Sequence, residues 1–309
     1  MIKPEKNGSI GADFAERNVT LKITKGSVKA IFPDLRGNLS IIRYPCFGEV
    51  KLDGEATAII FNNTFPNPNI YSTNKYGTTR TEWSKLDEIS EICEAKEIES
   101  GLFVAELYFG EGKAKALYDL LKNKDNDTLN LKIFDVSRLN YKDKSSMSPS
   151  APLLDRKEII TDLFNNTEFL LPTKVFNSQE EVKDFFTDAT DDGYEGIVVK
   201  NFDSRFISGP CDWVKMKNKD QSEYRVRSID MSKERIEVEI PTPATPGTLQ
   251  LIQRGVLCGV KVVNKYKKDL KIGDMVVIEH QGVLASGSLR HPVFIKKADS
   301  QNEGREEGE

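Results

Sequence analysis

The sequence predicts an α+β fold built on antiparallel sheets and followed by a small OB-type β-barrel. Three observations predict it. Through about residue 220, β-rich apolar runs alternate with amphipathic helical stretches. Beyond that point, five short strand-like runs follow one another with no helical pattern. The length, 309 residues, suits two domains of ordinary size.

In the first part, residues 57–61, 102–105, 129–134 and 197–199 read as strands because they are rich in Ile, Val, Leu and Phe and short. Ser84-Lys85-Leu86-Asp87 and Ser178-Gln179-Glu180-Glu181 have the form of capping boxes and predict helices running to about Lys96 and Ala189. Residues 113–122 and 155–164 carry apolar side chains three and four apart, the spacing of an amphipathic helix. After the polar stretch Lys217-Asn218-Lys219-Asp220, strands are expected at 224–229, 236–240, 256–263, 275–280 and 293–295. The alternation Ile236-Glu237-Val238-Glu239-Ile240 gives one buried and one wet face. The proline-rich stretch 241–247 cannot continue a central strand and is expected to project as a loop. Residues 299–309 form an acidic tail expected to be disordered.

Hydrophobic residues make up 38% of the chain and charged residues 30%, the balance of a globular protein with a well-solvated surface. No run approaches about 20 apolar residues, so no membrane partner is expected. The opening Met1-Ile2-Lys3-Pro4-Glu5-Lys6-Asn7 does not read as a secretion signal, and a cytoplasmic, intracellular place is expected. Cys46, Cys93, Cys211 and Cys258 are far apart and form no Cys-x-x-Cys pair, which suits thiols in a reducing compartment better than disulfides or zinc. The net charge of −4 is unevenly spread: residues 221–297 hold 13 Lys+Arg against 8 Asp+Glu, residues 1–220 hold 30 against 35, and the last 12 hold one Arg and five acids. A basic C-terminal module is what phosphate-backbone binding asks for.

The most informative segment is Glu49-Val50-Lys51-Leu52-Asp53-Gly54-Glu55. Four more follow in order: Ala105-Glu106-Leu107, Ile133-Phe134-Asp135, Glu195-Gly196-Ile197-Val198-Val199-Lys200 and Trp213-Val214-Lys215-Met216-Lys217. An amine attacks phosphorus only when neutral, so a nucleophilic Lys51 needs a lowered pKa, which nearby cations would supply. Lys215 and Lys217 are two apart in a strand-like run and project to one face, where they would both lower the Lys51 pKa and hold a phosphate. Glu106 and Glu195 sit beside apolar strands, where a carboxylate needs a partner.

Together these five segments resemble motifs I, III, IIIa, IV and V of the covalent nucleotidyltransferases, and from about Phe47 to Asp299 the chain is most similar to small two-domain ATP-dependent DNA ligases of viral and prokaryotic type. The resemblance implies a ligase-type adenylation domain over 1–220, an OB-fold domain over 221–298 and the tail over 299–309. It implies ATP and Mg²⁺ as cofactors, Lys51 as the covalent nucleophile and Lys215 and Lys217 as its catalytic companions. Glu49, Glu106, Phe134, Glu195 and Lys200 are then nucleotide-binding positions, with Glu106 on the ribose, Phe134 stacked on adenine and Glu195 also on the metal. Pro152-Leu153-Leu154-Asp155-Arg156-Lys157 resembles the start of an interdomain-facing helix of these enzymes, and Leu289-Arg290-His291-Pro292-Val293-Phe294 the opening of motif VI. The expected arginine after motif I is Ala56, that of motif Ia is Thr73, and that of motif VI falls at Ala298. Lys75 and Arg80 stand in for the second, Lys296 and Lys297 for the third, and with Arg290 these are candidate phosphate or nucleic-acid contacts. Lysine cannot reproduce a bidentate arginine grip.

The resulting expectation is a monomeric ligase that seals 3′-hydroxyl/5′-phosphate nicks in duplex DNA through a lysyl-AMP intermediate. An RNA ligase or RNA-templated ligase is the first alternative, and a nucleic-acid-binding relative that has lost catalysis is the second.

Overall fold

The computed structural model describes residues 10–14, 19–23, 33–36, 38–64, 69–74, 77–113, 128–206, 209–230, 232–241, 256–262, 269–284 and 286–298. The expected helix at 113–122 falls, apart from Lys113, outside the described residues, as do most of the loop 241–247 and the tail 299–309. The chain divides into two compact units, Met1–Lys217 and Asn218–Glu309.

The first unit holds strands β1 (Ile10–Phe14), β2 (Val19–Ile23), β3 (Pro33–Arg36), β4 (Cys46–Lys51), β5 (Glu55–Asn62), β6 (Ile70–Asn74), β7 (Thr79–Arg80), β8 (Ile98–Phe109), β9 (Leu129–Tyr141), β10 (Ser146–Met147), β11 (Lys174–Phe176), β12 (Gly196–Asn201) and β13 (Gly209–Lys217). Its helices are α1 (Ser84–Ala95), α2 (Leu153–Phe164) and α3 (Gln179–Asp191). Strands β1 and β2 pair with each other. The other strands form a six-stranded antiparallel sheet, β10-β9-β8-β5-β6-β7, and a five-stranded sheet, β11-β4-β12-β13-β3. Only the β13–β3 pair of the second sheet is parallel.

The apolar spacing read from the sequence decides where the helices lie. Leu86, Ile89 and Cys93 of α1 and Ile160, Leu163 and Phe164 of α2 join Ile59, Phe61, Phe103, Ala105 and Ile133 in one core on the six-stranded sheet. Val182, Phe185 and Ala189 of α3 pack with Ile197, Val199 and Val214 on the five-stranded sheet. The capping box that opens α3 is present: the Ser178 hydroxyl accepts from Glu181 N, while the Glu181 carboxylate reaches the Asn177 N–H rather than that of Ser178. The one expected at Ser84 is absent. Trp83 takes the cap position without a side-chain bond, and Ser84 lies inside the first turn. Helix α2 begins two residues before its expected start, after Pro152, whose missing N–H costs nothing at a helix entrance.

Helix α2 buries more than apolar side chains. Positions 153, 156, 157, 160, 163 and 164 form its buried stripe, and two of them are Arg156 and Lys157. Arg156 is fully buried and grips Asp135 of β9 with two parallel bonds, Nε to Oδ1 at 2.8 Å and Nη2 to Oδ2 at 3.0 Å. Its Nη1 donates to the carbonyls of Ala151 and Ser204 at 2.5 and 2.9 Å.

The second unit is a five-stranded antiparallel sheet of β14 (Asp220–Asp230), β15 (Arg235–Ile240), β16 (Val256–Lys261), β17 (Met275–His280) and β18 (Val293–Lys297), in the order β16-β15-β14-β17-β18. These are the five strands the sequence predicts. Val226, Ile236, Val238, Val260, Val276, Ile278 and Phe294 form its core. Among the described residues no hydrogen-bonded ladder joins the edge strands β16 and β18 to each other.

A buried ion pair is costly to break from one side only. Arg156→Met should therefore lower unfolding stability by about 3–5 kcal/mol in urea denaturation, because Asp135 keeps its charge and loses its partner. A loss below about 1 kcal/mol would show that the pair does not anchor α2.

Candidate active site

Strand register places the motif residues on one face of the five-stranded sheet. Lys51 lies opposite Gly196 and Gly196 opposite Lys217; Glu49 lies opposite Val198 and Val198 opposite Lys215; Phe47 lies opposite Lys200 and Lys200 opposite Trp213. Side chains alternate along a strand, so these nine positions share a face, while Cys46, Ile197, Val199 and Val214 point the other way into the α3 core. The repeated apolar-charged alternation of the motifs is thus a sheet with one side in the core and one side forming a site.

Gly196 separates the two end lysines with no side chain between them. Its φ is +144°, and a Cβ there would stand 1.9 Å from the Met216 carbonyl oxygen. The preceding residue, Glu195, bridges both lysines: Lys51 Nζ is 2.7 Å from Oε2, and Lys217 Nζ donates to Oε1. On the neighbouring sheet Glu106 of β8 pairs across from Ala56 and accepts the Gly54 N–H. A Cβ on Gly54 would lie 2.2 Å from the Leu107 carbonyl oxygen, so the close approach that brings this turn to Glu106 needs glycine. The Asp53 N–H donates to the Gly112 carbonyl at 2.8 Å and fixes the other side of the turn.

The charges in this cluster shift one another. Burial works against the Lys51 ammonium, but Glu195, Glu106 and Asp53 outweigh it and hold its pKa above the ordinary lysine value. The sequence reading expected cationic neighbours to depress Lys51. That depression falls on Lys217 instead, through burial first and then the charges of Lys51 and Lys215, against the pull of Glu195. Burial also raises Glu106, opposed by Lys51 but reinforced by Glu195 and Asp53, to about 7. Glu195 is itself held low: burial raises it, and Lys51 and Lys217 more than reverse that.

Two residues along β4 lies a second charged cluster. The Glu49 carboxylate is 1% exposed and receives three donors: Lys157 and Thr173 at Oε1, the latter at 2.8 Å, and Lys200 at Oε2. Lys157 also donates to the Phe134 carbonyl at 2.8 Å and to Thr173 Oγ1 at 3.0 Å, so all three of its N–H bonds are used. Lys200 Nζ lies 4.2 Å from the Trp213 ring centre and 4.8 Å from that of Phe134. Burial favours protonated Glu49, yet Lys157 and Lys200 hold it low. Lys157 is pushed down to about 8 by burial, with Glu49 opposing and Lys200 adding to the fall.

Residues 40–217 match the family model of the ATP-dependent DNA ligase domain. The chain belongs to that family. No curated protein matches the sequence. Among solved structures, Pmar-Lig_PreS3 is similar at a TM-score of 0.65 and 17% identity, over 87% of this chain and 67% of that one. A Lig E DNA ligase aligns at a TM-score of 0.62 and 15% identity, over 86% and 98%. The ligase domain of M. tuberculosis LigD aligns at 0.50 and 14%, over 88% and 96%. At these identities the likeness concerns the fold alone, the mixed α+β fold with antiparallel sheets of a ligase adenylation domain.

Within this ligase domain Lys51, Glu106, Glu195 and Lys217 come together at one end of the site face, Glu49, Phe134 and Lys200 at the other, and Lys215 between them. Arg80 is not part of the cluster. It ends β7 at the edge of the six-stranded sheet, opposite Ser72, and its Nη1 is buried without a hydrogen-bond partner. Lys75 lies outside the described residues. Arg290, Lys296 and Lys297 belong to the second unit, where Arg290 is buried, Lys296 exposed, and Lys297 paired with Asp274 at 2.8 Å. Lys157 and Thr173 were not among the expected site residues. The available signal was Arg156-Lys157 on the apolar stripe of an amphipathic helix, where a cation needs a buried partner. All four cysteines are buried thiols, and among the described residues no helix is long and apolar enough to cross a membrane.

The raised Glu106 pKa makes a prediction about stability. Its folded value near 7 exceeds the ordinary 4.5, so the folded protein binds this proton more tightly and loses stability as pH rises between the two. Glu106→Gln removes that penalty. Relative to the unsubstituted protein it should be more stable at pH 8 than at pH 5, by on the order of 1–3 kcal/mol. An equal difference at both pH values would contradict the assignment.

Proposed function

We propose that the chain is an ATP-dependent DNA ligase that seals nicks between a 3′-hydroxyl and a 5′-phosphate through a lysyl-AMP intermediate. One observation carries this reading: Lys51 stands on the same sheet face as Glu49 and Lys200, two residues along one strand and roughly 7 Å from Glu49, with Phe134 of the other sheet against Lys200. That interval suits the reach from a purine to the α-phosphate of its nucleotide.

In this reading Phe134 stacks on the base and Glu106 receives the ribose. The neutral Lys51 amine attacks the α-phosphorus; an N–P bond forms as the bond to pyrophosphate breaks, and the ammonium proton has by then left to solvent. AMP then passes to the 5′-phosphate of the strand, and the 3′-hydroxyl displaces it. Lys215 and Lys217 share the site face and balance charge on the departing pyrophosphate. Lys51 first has to escape the hold of Glu195, and Lys217 competes for that same carboxylate. Among the described residues no cluster of three or more His, Cys, Asp or Glu forms a self-sufficient metal cage. The crowding of Glu195, Glu106 and Asp53 that raises Glu106 nevertheless suits a Mg²⁺ held by Glu195 together with phosphate oxygens, the usual sparse protein ligation of that ion. Such an ion supplies charge neutralisation at the phosphates.

We assign the adenylation function to residues 1–220 and read the second unit, over 221–298, as an OB-fold module. The five-stranded antiparallel sheet and the excess of 13 Lys+Arg over 8 Asp+Glu across 221–297 support that reading. Arg290, Lys296 and Lys297 of this module and Lys75 and Arg80 of the first unit are the proposed phosphate contacts, with nicked duplex DNA as the partner and a monomer as the working form. Ala56, at the place of the arginine expected after motif I, favours a second reading in which the sealed or template strand contains RNA. A panel of nicked duplexes with DNA or RNA on each strand decides between them.

Incubation with ATP and Mg²⁺ should add one AMP to Lys51, read by peptide mass spectrometry, and Lys51→Ala should abolish both the adduct and joining from ATP. Sealing of a pre-adenylylated nick should survive in part. A stable adduct on the Lys51→Ala protein would overturn the assignment.

Salt tests the basic module. With about four to eight phosphate contacts, log K should fall with log salt at roughly −0.9 per contact, so nick binding weakens at least about a hundredfold between about 50 and about 200 mM salt. AMP labelling of Lys51 should change much less. A flat response of nick binding would remove the phosphate-contact role.

A further inference from the structure

The Lys157 ammonium is bonded at once to two elements that line the base end of the site. It donates to the Phe134 carbonyl on β9 and to Glu49 on β4, and Thr173 Oγ1 closes the triangle by bonding both Lys157 and Glu49. The adjacent Arg156 locks the same turn of α2 to Asp135, the residue after Phe134. A side chain with three donors, two taken by groups on different sheets and the third by Thr173 in the loop before β11, sets the separation of those groups.

The carboxylate it holds has one place left. Of the roughly four acceptor positions of a carboxylate, Glu49 gives two at Oε1 to Lys157 and Thr173 and one at Oε2 to Lys200. What remains is a single acceptor on a carboxylate kept ionised by two lysines, one of which, Lys200, also lies over the Phe134 ring. A single fixed acceptor prefers a donor and penalises a second acceptor set against it, because a buried polar group facing the wrong partner loses its hydrogen bond outright.

We infer that Lys157 is a positioning residue for the nucleotide base: by tying the Phe134 backbone to Glu49 it fixes the stacking ring against the one acceptor position left on that carboxylate and so selects a purine bearing a 6-amino group. The inference rests on the proposed ATP site and adds to it a residue outside the nucleotidyltransferase motifs. Lys157 does not touch the base itself; it acts through Glu49 and Phe134.

The test uses the full chain in a Lys51→Ala background, where binding stays non-covalent. Titration calorimetry compares ATP with inosine triphosphate, in which an oxygen replaces the 6-amino group. With Lys157 present ATP binds more tightly. Lys157→Met should weaken ATP about tenfold and inosine triphosphate much less, shrinking the preference, while Lys157→Arg, which keeps the donors, should retain most of it. A folded Lys157→Met protein with an unchanged ratio, or with equal losses for both nucleotides, would make Lys157 a structural anchor only and overturn the inference. Should Lys157→Met fail to fold, Thr173→Val removes one bond from the same triangle and should shrink the ratio more modestly; no change there overturns it equally. Adduct formation at Lys51 is scored separately, so intact discrimination without an adduct would fault the ligation mechanism and leave the role of Lys157 standing.

Discussion

Two adjacent cations on one turn of α2 tie the two large sheets of the first unit together, and the site depends on that tie. Arg156 holds Asp135 on the six-stranded sheet, and Lys157 holds Glu49 on the five-stranded sheet while still bonded to the Phe134 carbonyl. Buried charges of this kind seldom add net stability, since desolvation offsets most of the attraction. Their value here is geometric: each fixes a bond that an apolar contact would leave free to slide. The sheets can then present Glu106 from one side and Lys51, Glu195 and Lys217 from the other as one constellation.

The site itself is a compromise between opposed charges. Three carboxylates and two lysines crowd one end of it, with Lys215 alongside, and the balance leaves Lys51 protonated, Glu195 ionised and Glu106 near the middle of its titration at neutral pH. An ammonium so held is a poor nucleophile. It is, however, a well-placed cation for an incoming polyphosphate, which meets Lys51, Lys215 and Lys217 on one face. In the proposed ligase reaction this arrangement corresponds to the state that receives nucleotide, with Lys51 turning reactive once Glu195 is drawn to another cation.

Much of the fold was legible because it is written locally. The strands around residues 57–61, 102–105 and 129–134, the helices at 84–95 and 179–191 and all five strands of the second unit follow from runs and spacings a few residues long. The site lysines and glutamates were legible for a related reason: alternate residues of a strand share a face, so Lys215 and Lys217 had to point together. What was not legible depends on distant partners. Nothing near Lys157 announces Glu49, 108 positions away. The direction of the Lys51 shift turns on which of several neighbours comes within contact, and the sequence put Glu195 in the site without making it the partner of Lys51. The missing cap at Ser84 reflects a choice of one residue in the helix entrance, which the preceding Trp83 settles by packing into the core.

The central claim is that the face carrying Phe47, Glu49, Lys51, Lys200, Trp213, Lys215 and Lys217 is a nucleotide site whose base end is tied between the two sheets by α2. Hydrogen exchange read by mass spectrometry, with and without ATP, tests it most directly. The account predicts slowed exchange in 46–54, 133–136, 195–201 and 213–217 and in the first turn of α2 at 153–157, appearing together at the same ATP concentration. Protection by ATP confined to other segments, or absent from 153–157 while present in the strands, would contradict it.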